Sequence, residues 1–251
     1  MILTIALLTI GTIAIVALVL MPQLREERLV FGEVPDQPVP FGYKMSWLAL
    51  QTEDAGKVVE VLGLGDAEPC NWQSGIGAVY DSELGEARVF VTPPVKGWIF
   101  VVGLPLPAPV GHGFADKCTP FLLDLGRHFP DVQYYFTYPL IDVFAWVRIR
   151  EGRLLRAFAI GDEGIVWNKG RTTREEKALG LKLFELRGVR GRKGDAGGEI
   201  ILYPTEDHVM RIARGWSLDP TSIGTMPSTP ALGLVAQSPI AWRAERLRNT
   251  G

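Results

Sequence analysis

The chain opens on an apolar run, Ile2 to Met21, that no charge interrupts, whereas everything after Pro40 alternates between short apolar segments and polar punctuation. At about 1.5 Å per residue that run spans about 30 Å as a helix, the thickness of a bilayer's hydrocarbon core, which predicts a single-pass transmembrane helix over residues 1–21. No Lys or Arg precedes the run and Leu18-Val19-Leu20-Met21-Pro22 follows it, so the basic start and small-residue cleavage site of a signal peptide are missing. Residues 22–40 contain Pro22, Pro35, Pro38 and Pro40 with no sustained period, and read as an extended linker.

Residues 41–220 read as one globular domain. Lys44 to Leu50 has strand character, and Thr52 then caps a helix that carries Val58, Val59, Val61 and Leu62 and closes at Gly63. Asn71 caps a second helix through Trp72 to Tyr80, which Gly75 and Gly77 weaken by about 1 kcal/mol each relative to Ala. Ala87 to Thr92 and Trp98 to Gly103 are neighbouring strands joined by a proline-stiffened loop. Thr119-Pro120 starts a helix in which Phe121, Leu122, Leu125 and Phe129 keep helical spacing. Asp142 to Arg150 and Arg153 to Ile160 flank the two-residue turn Glu151-Gly152 and, with Ile165-Val166-Trp167, predict a three-stranded antiparallel meander.

Thr173 and Glu176 have capping-box spacing, Gly188 to Gly198 is a glycine-rich loop, and Thr205 caps a last helix with Val209, Ile212, Ala213 and Trp216 on one face. Residues 221–251, rich in Pro, Ser, Thr and Gly, read as an extended C-terminal tail with a helical turn at Ile240 to Leu247. The expected fold class is α+β: an N-terminal transmembrane helix followed by a mixed, largely antiparallel sheet with helices packed on it.

Composition adds constraints. A net charge of −2 over 251 residues provides no bulk field for nucleic acid, and none is expected as a partner. Arg25, Arg28 and Lys44 all follow the apolar run, which places the body on the cytoplasmic side of a bacterial inner membrane, with the periplasmic side left open as the alternative. Cys70 and Cys118 lack CxxC spacing; they are small buried hydrophobes or, in an exported body, a single disulfide.

The candidate chemistry is sparse. His112, His128 and His208 have no metal-ligand spacing, and no cofactor motif is present, so neither metal nor cofactor is expected. Gln73-Ser74-Gly75-Ile76-Gly77 lacks the first glycine and the leading strand of a nucleophile elbow, so no catalytic residue is assigned. Arg187, Arg190, Arg192 and Lys193 lie among glycines, which reads as a solvated loop or as a contact for anionic lipid or an acidic partner. Glu53/Asp54, Asp162/Glu163, Glu175/Glu176 and Glu206/Asp207 fall at helix starts or turns, where negative charge stabilises. Aromatic residues concentrate around the sheet. Core filling accounts for most, and Trp72, Trp98, Tyr135, Phe144 and Trp146 are the candidates for a protein-recognition surface.

Trp47, Asn71-Trp72, Val89 to Pro94 with Gly97-Trp98, and Val209 to Ala213 ending in Trp216-Ser217-Leu218-Asp219-Pro220 resemble a group of uncharacterised bacterial proteins. The resemblance covers most of residues 41–220. It implies a bacterial origin and a single domain, and transfers no site residues. The expected function is a membrane-anchored, non-catalytic protein-binding domain, with another protein as partner and the membrane engaged through residues 2–21. An immunity or accessory protein of a bacterial toxin or effector is one form of it. The alternatives are an envelope- or lipid-contacting structural protein and a membrane-associated hydrolase with an unrecognised site.

Overall fold

Capping side chains set the starts of several helices. The computed structural model describes residues 30–109, 118–161, 164–180 and 204–243. Strand β1 (Ser46–Gln51) leads into helix α1 (Ala55–Leu62), whose N-cap is Asp54, accepting from the Lys57 N–H. Thr52, expected as that cap, accepts instead from the Asp54 N–H and shapes the turn ahead of the helix. Gly63 ends α1 in the left-handed region at φ 62°, open to glycine without penalty. Strand β2 (Gly65–Cys70) precedes helix α2 (Trp72–Tyr80), capped as expected by Asn71. Strands β3 (Arg88–Val91) and β4 (Trp98–Val102), helix α3 (Cys118–His128) and strand β5 (Asp131–Tyr138) follow. Helix α3 already includes Cys118, so Thr119 lies inside it and not at its cap.

Strands β6 (Val143–Arg150), β7 (Arg153–Gly161) and β8 (Gly164–Gly170) form the expected meander. Glu151 and Gly152 both take positive φ, 51° and 72°, which matches the twist a two-residue hairpin requires. Helix α4 (Arg174–Ala178) starts at the Thr173–Glu176 capping box, and helix α5 (Glu206–Trp216) starts after Thr205. Strand β9 (Gly233–Gln237) and the short helix α6 (Ile240–Arg243) close the described chain.

The nine strands form one sheet in the order β2-β9-β3-β4-β1-β5-β6-β7-β8, and all neighbouring pairs are antiparallel. Side chains alternate between its two faces. On one face Leu48, Leu50, Ile99, Val101, Val132, Val147 and Ile149 make an aliphatic core with Val58 and Leu62 of α1 and Leu122 and Leu125 of α3. On the other lie Trp47, Phe90, Tyr135, Trp146 and Phe158, covered by α2, α4 and α5. Gly75 lets α2 lie directly on that face, because a Cβ there would run into the Phe90 ring.

Three expectations are corrected. The segment read as an extended tail from residue 221 supplies β9, which lies between β2 and β3 inside the sheet. Residues 32–40, read as a spacer, pack on the domain: Asp36 accepts from the Trp72 N–H at 2.7 Å and the Gln73 N–H at 3.0 Å, and pairs with Ala231 in an isolated bridge. The compact unit therefore begins at Gly32, while of Met1–Phe31 only residues 30 and 31 are described. The expected transmembrane helix lies outside the described residues, among which no helix is long and apolar enough to cross a membrane. The described residues accordingly form an α+β fold on a large antiparallel sheet, and none of their helices spans a membrane.

Candidate functional site

The aromatic residues expected as a partner surface are mostly interior. Trp72, Tyr135, Phe144 and Trp146 are buried, and only Trp98, at the start of β4, is half-exposed. Cross-strand register explains why. Trp47 sits opposite Tyr135, Tyr135 opposite Trp146, and Trp146 opposite Phe158, so one row of rings crosses β1, β5, β6 and β7. Trp47 stacks on Tyr135 at 5.0 Å between centroids and Trp146 on Phe158 at 4.5 Å. Such pairs stabilise a sheet from within and offer nothing to a partner once helices cover them. Arg187, Arg190, Arg192 and Lys193, the candidate anion contact, lie outside the described residues.

Beside the aromatic row runs a buried polar network that the sequence reading did not assemble. Arg156 and Glu176 are 1% and 0% exposed. The Arg156 Nε donates to both Glu176 oxygens at 2.7 and 2.9 Å, and its Nη1 donates to Asn168 and to the backbone oxygens of Ala157 and Lys169. Glu176 also accepts from Trp146 Nε1 at 2.8 Å and from the Thr173 N–H in the capping box. Arg148 reaches Asp131 at 2.6 Å, Gln133 donates to Asp131 and to the Trp216 carbonyl, and Tyr135 donates to Gln133. Burial pushes the Tyr135 hydroxyl well above its ordinary value, against the pull of Ser217 and Arg148, so it stays a neutral donor. Apart from Arg156 Nη2, which has no hydrogen-bond partner among the described residues, these groups satisfy one another in the interior and tie α4 and the end of α5 to the sheet.

Among the described residues one open feature is a cleft of about 340 Å³ at one end of the sheet. Four segments meet there: Lys44 and Met45 before β1, Val79 to Ser82 at the end of α2 with Gly85 and Glu86 just beyond, Leu104 after β4, and Tyr138 at the end of β5. Gly85 allows the turn to close on α2, since a Cβ would sit 2.6 Å from the Val79 carbonyl oxygen. Asp81 fixes the same turn by accepting from the Glu83 and Leu84 N–H groups, each at 2.9 Å. Those bonds, Leu84's first, hold its carboxyl below the usual range.

The Tyr80 ring is pinned through its hydroxyl, which donates to the Tyr43 carbonyl at 2.9 Å and accepts from the Gly42 N–H at 3.2 Å, while 44% of the residue stays exposed. Helix α5 holds the adjoining wall: Glu206 accepts from the Lys44 N–H at 3.0 Å and Asp207 from the Tyr43 hydroxyl at 3.2 Å. Burial and then Asp207 and Glu206 push the Tyr43 hydroxyl up, and burial, with a smaller effect of Glu206, raises that of Tyr80. Leu140, 73% exposed, lies two residues beyond Tyr138. None of the five aromatic candidates read from the sequence lines this cleft. A half-exposed tyrosine closing α2, followed by Asp81-Ser82-Glu83, was the remaining local signal.

The other candidates have structural roles. Ser74 accepts from the Gly32 N–H and donates its own N–H to Asn71 inside the first turn of α2, far from an elbow geometry. His128 at the end of α3 receives Lys57 Nζ on its carbonyl, and His208 Nδ1 accepts from the Thr205 N–H. Cys70 and Cys118 are both buried, and burial pushes the Cys70 thiol up to about 12, too high for a nucleophile. Among the described residues no three His, Cys, Asp or Glu side chains are grouped to hold a metal. No family model, no curated protein and no solved structure matches the chain.

Proposed function

We propose that this chain is a non-catalytic protein-binding domain that engages its partner at the cleft between α2 and the ends of β1, β4 and β5. In a bacterial setting it acts as an immunity or accessory protein that covers a toxin or effector. The observation that carries the reading is the cleft with its rim: a preformed concavity of about 340 Å³, walled by Tyr80 and Tyr138, beside the exposed Tyr43 and Leu140. Tyrosine and aliphatic anchors around a concave site are what interface hot spots are made of. The lining supplies Ser82 and two carboxylates, but no histidine to pair with the serine for nucleophilic catalysis.

The test is capture of a partner by the tagged full-length chain from the cells that produce it, beside the Leu140→Asp variant, whose substitution is on the surface. A stoichiometric protein held by the native chain and lost with the variant is the expected result. Equal recovery by both, or no protein with either, contradicts the reading.

A further inference from the structure

The cleft's lining has a definite charge and shape. Its charged residues are Lys44, Asp81 and Glu86, and Glu206 and Asp207 grip the same Tyr43–Lys44 segment from α5, so acids outnumber the one ammonium. Asp81 uses Oδ1 for its turn, and among the described residues neither Asp81 nor Glu86 takes part in an ion pair. Tyr80 is held in place by two backbone hydrogen bonds, and Tyr138 rests against Phe136 at 6.3 Å between centroids, so both rings are ordered before anything binds. A preordered aromatic wall beside unpaired carboxylates matches one side chain better than others. Guanidinium is planar, stacks on rings and bonds carboxylates through a fork, whereas ammonium is a compact, strongly hydrated charge.

We infer that the cleft receives an arginine side chain presented by the partner protein, its guanidinium lying against the Tyr80 and Tyr138 rings and pairing with Asp81 and Glu86. The inference rests on the binding reading above and specifies the chemistry of its anchor. It makes the lining carboxylates the source of selectivity, with the tyrosines supplying contact area. Lys44 is the one lining group that favours an anionic side chain, and the acids outnumber it.

The test follows amide signals of the full-length chain by NMR during titration with N-acetyl-arginine methylamide. Its neutral citrulline counterpart and N-acetyl-glutamate methylamide serve as controls. The arginine probe is expected to move the signals of Tyr80, Asp81, Glu86 and Tyr138 saturably. Citrulline should bind at least about tenfold more weakly, the loss of a charge-assisted hydrogen bond. Asp81→Asn with Glu86→Gln should weaken arginine to the citrulline level while the remaining spectrum is unchanged, since Asn retains the oxygen that accepts from Glu83 and Leu84.

Equal binding of citrulline, preference for the glutamate probe, or no saturable shift at the cleft overturns the inference. Partner capture by the same double variant separates the two readings. A partner still held there, with no arginine selectivity in the titration, removes arginine and leaves protein binding standing. Arginine selectivity with no partner in any capture leaves the chemistry of the cleft and removes the protein.

Discussion

The two faces of the sheet are packed by different means. Under α1 and α3 the contacts are mostly aliphatic, with Leu48, Leu50, Val101, Val147 and Ile149 against Val58, Leu62, Leu122 and Leu125, and Tyr134 and Phe129 among them. Under α2, α4 and α5 they are aromatic and charged, with the Trp47–Tyr135–Trp146–Phe158 row beside the Arg156–Glu176 and Arg148–Asp131 pairs. Apolar burial is non-directional and sets how tightly two layers adhere. Hydrogen-bonded ion pairs in a low-dielectric interior have strict geometry and set where the layers sit. Directionality matters most on the face that carries α5, because its first turn holds Tyr43 and Lys44 on the cleft wall through Asp207 and Glu206.

Removing one partner of the buried pair should break this arrangement most severely. Glu176→Ala strands the Arg156 charge and takes an acceptor from Trp146, and a loss of about 3–5 kcal/mol is expected in urea unfolding. Replacing both members, Arg156→Met with Glu176→Leu, should recover most of it. A loss below about 1 kcal/mol for Glu176→Ala would mean that the pair does not position the helices. On the other face Leu48→Ala should cost about 3 kcal/mol through the cavity it leaves. Amide shifts of Tyr43, Lys44 and α5 should stay in place there, and move in Glu176→Ala. Similar shifts in both variants would erase the distinction between the faces.

Two smaller effects sharpen it. Asp54→Ala removes the α1 cap and should lower stability by about 1 kcal/mol in the same unfolding measurement, leaving the cleft signals untouched. At α5, burial and then Arg211 hold the His208 imidazole below its ordinary value despite Asp207, so the fold favours the neutral ring that accepts from Thr205. That contribution is complete above the unfolded value of about 6.5 and is lost as pH falls through the lower folded value. Stability of the native chain should therefore drop on acidification more than that of His208→Gln, which keeps an acceptor at the same helix position without titrating. Parallel pH profiles for the two chains would remove His208 from the account.

What was legible in the sequence was local. Asn71, the Thr173–Glu176 box and Glu151-Gly152 act within a few residues of themselves, so their side chains or dihedral preferences announce the element. Strands β2 and β9 have no such signal. Gly65-Asp66-Ala67-Glu68-Pro69 forms an exposed edge, where proline and charge are tolerated because little is buried. Strand β9 depends on partners 143 or more positions earlier, such as Val89 opposite Ala236, which no local window contains. The aromatic residues were visible, but alternation along a strand cannot show which faces helices will cover. The cleft was hidden for the same reason: its walls come from four segments, and only folding brings Lys44, Tyr80, Glu86 and Tyr138 together.

The most direct test of the central claim places a photocrosslinking amino acid at Leu140, beside the cleft, and separately at Leu155, an exposed position on β7. The full-length chain is irradiated in the cells that produce it, and the crosslinked protein is identified by mass spectrometry. The account predicts one protein joined in high yield from position 140 and not from 155. No specific adduct at 140, or the same adducts from both positions, would contradict it.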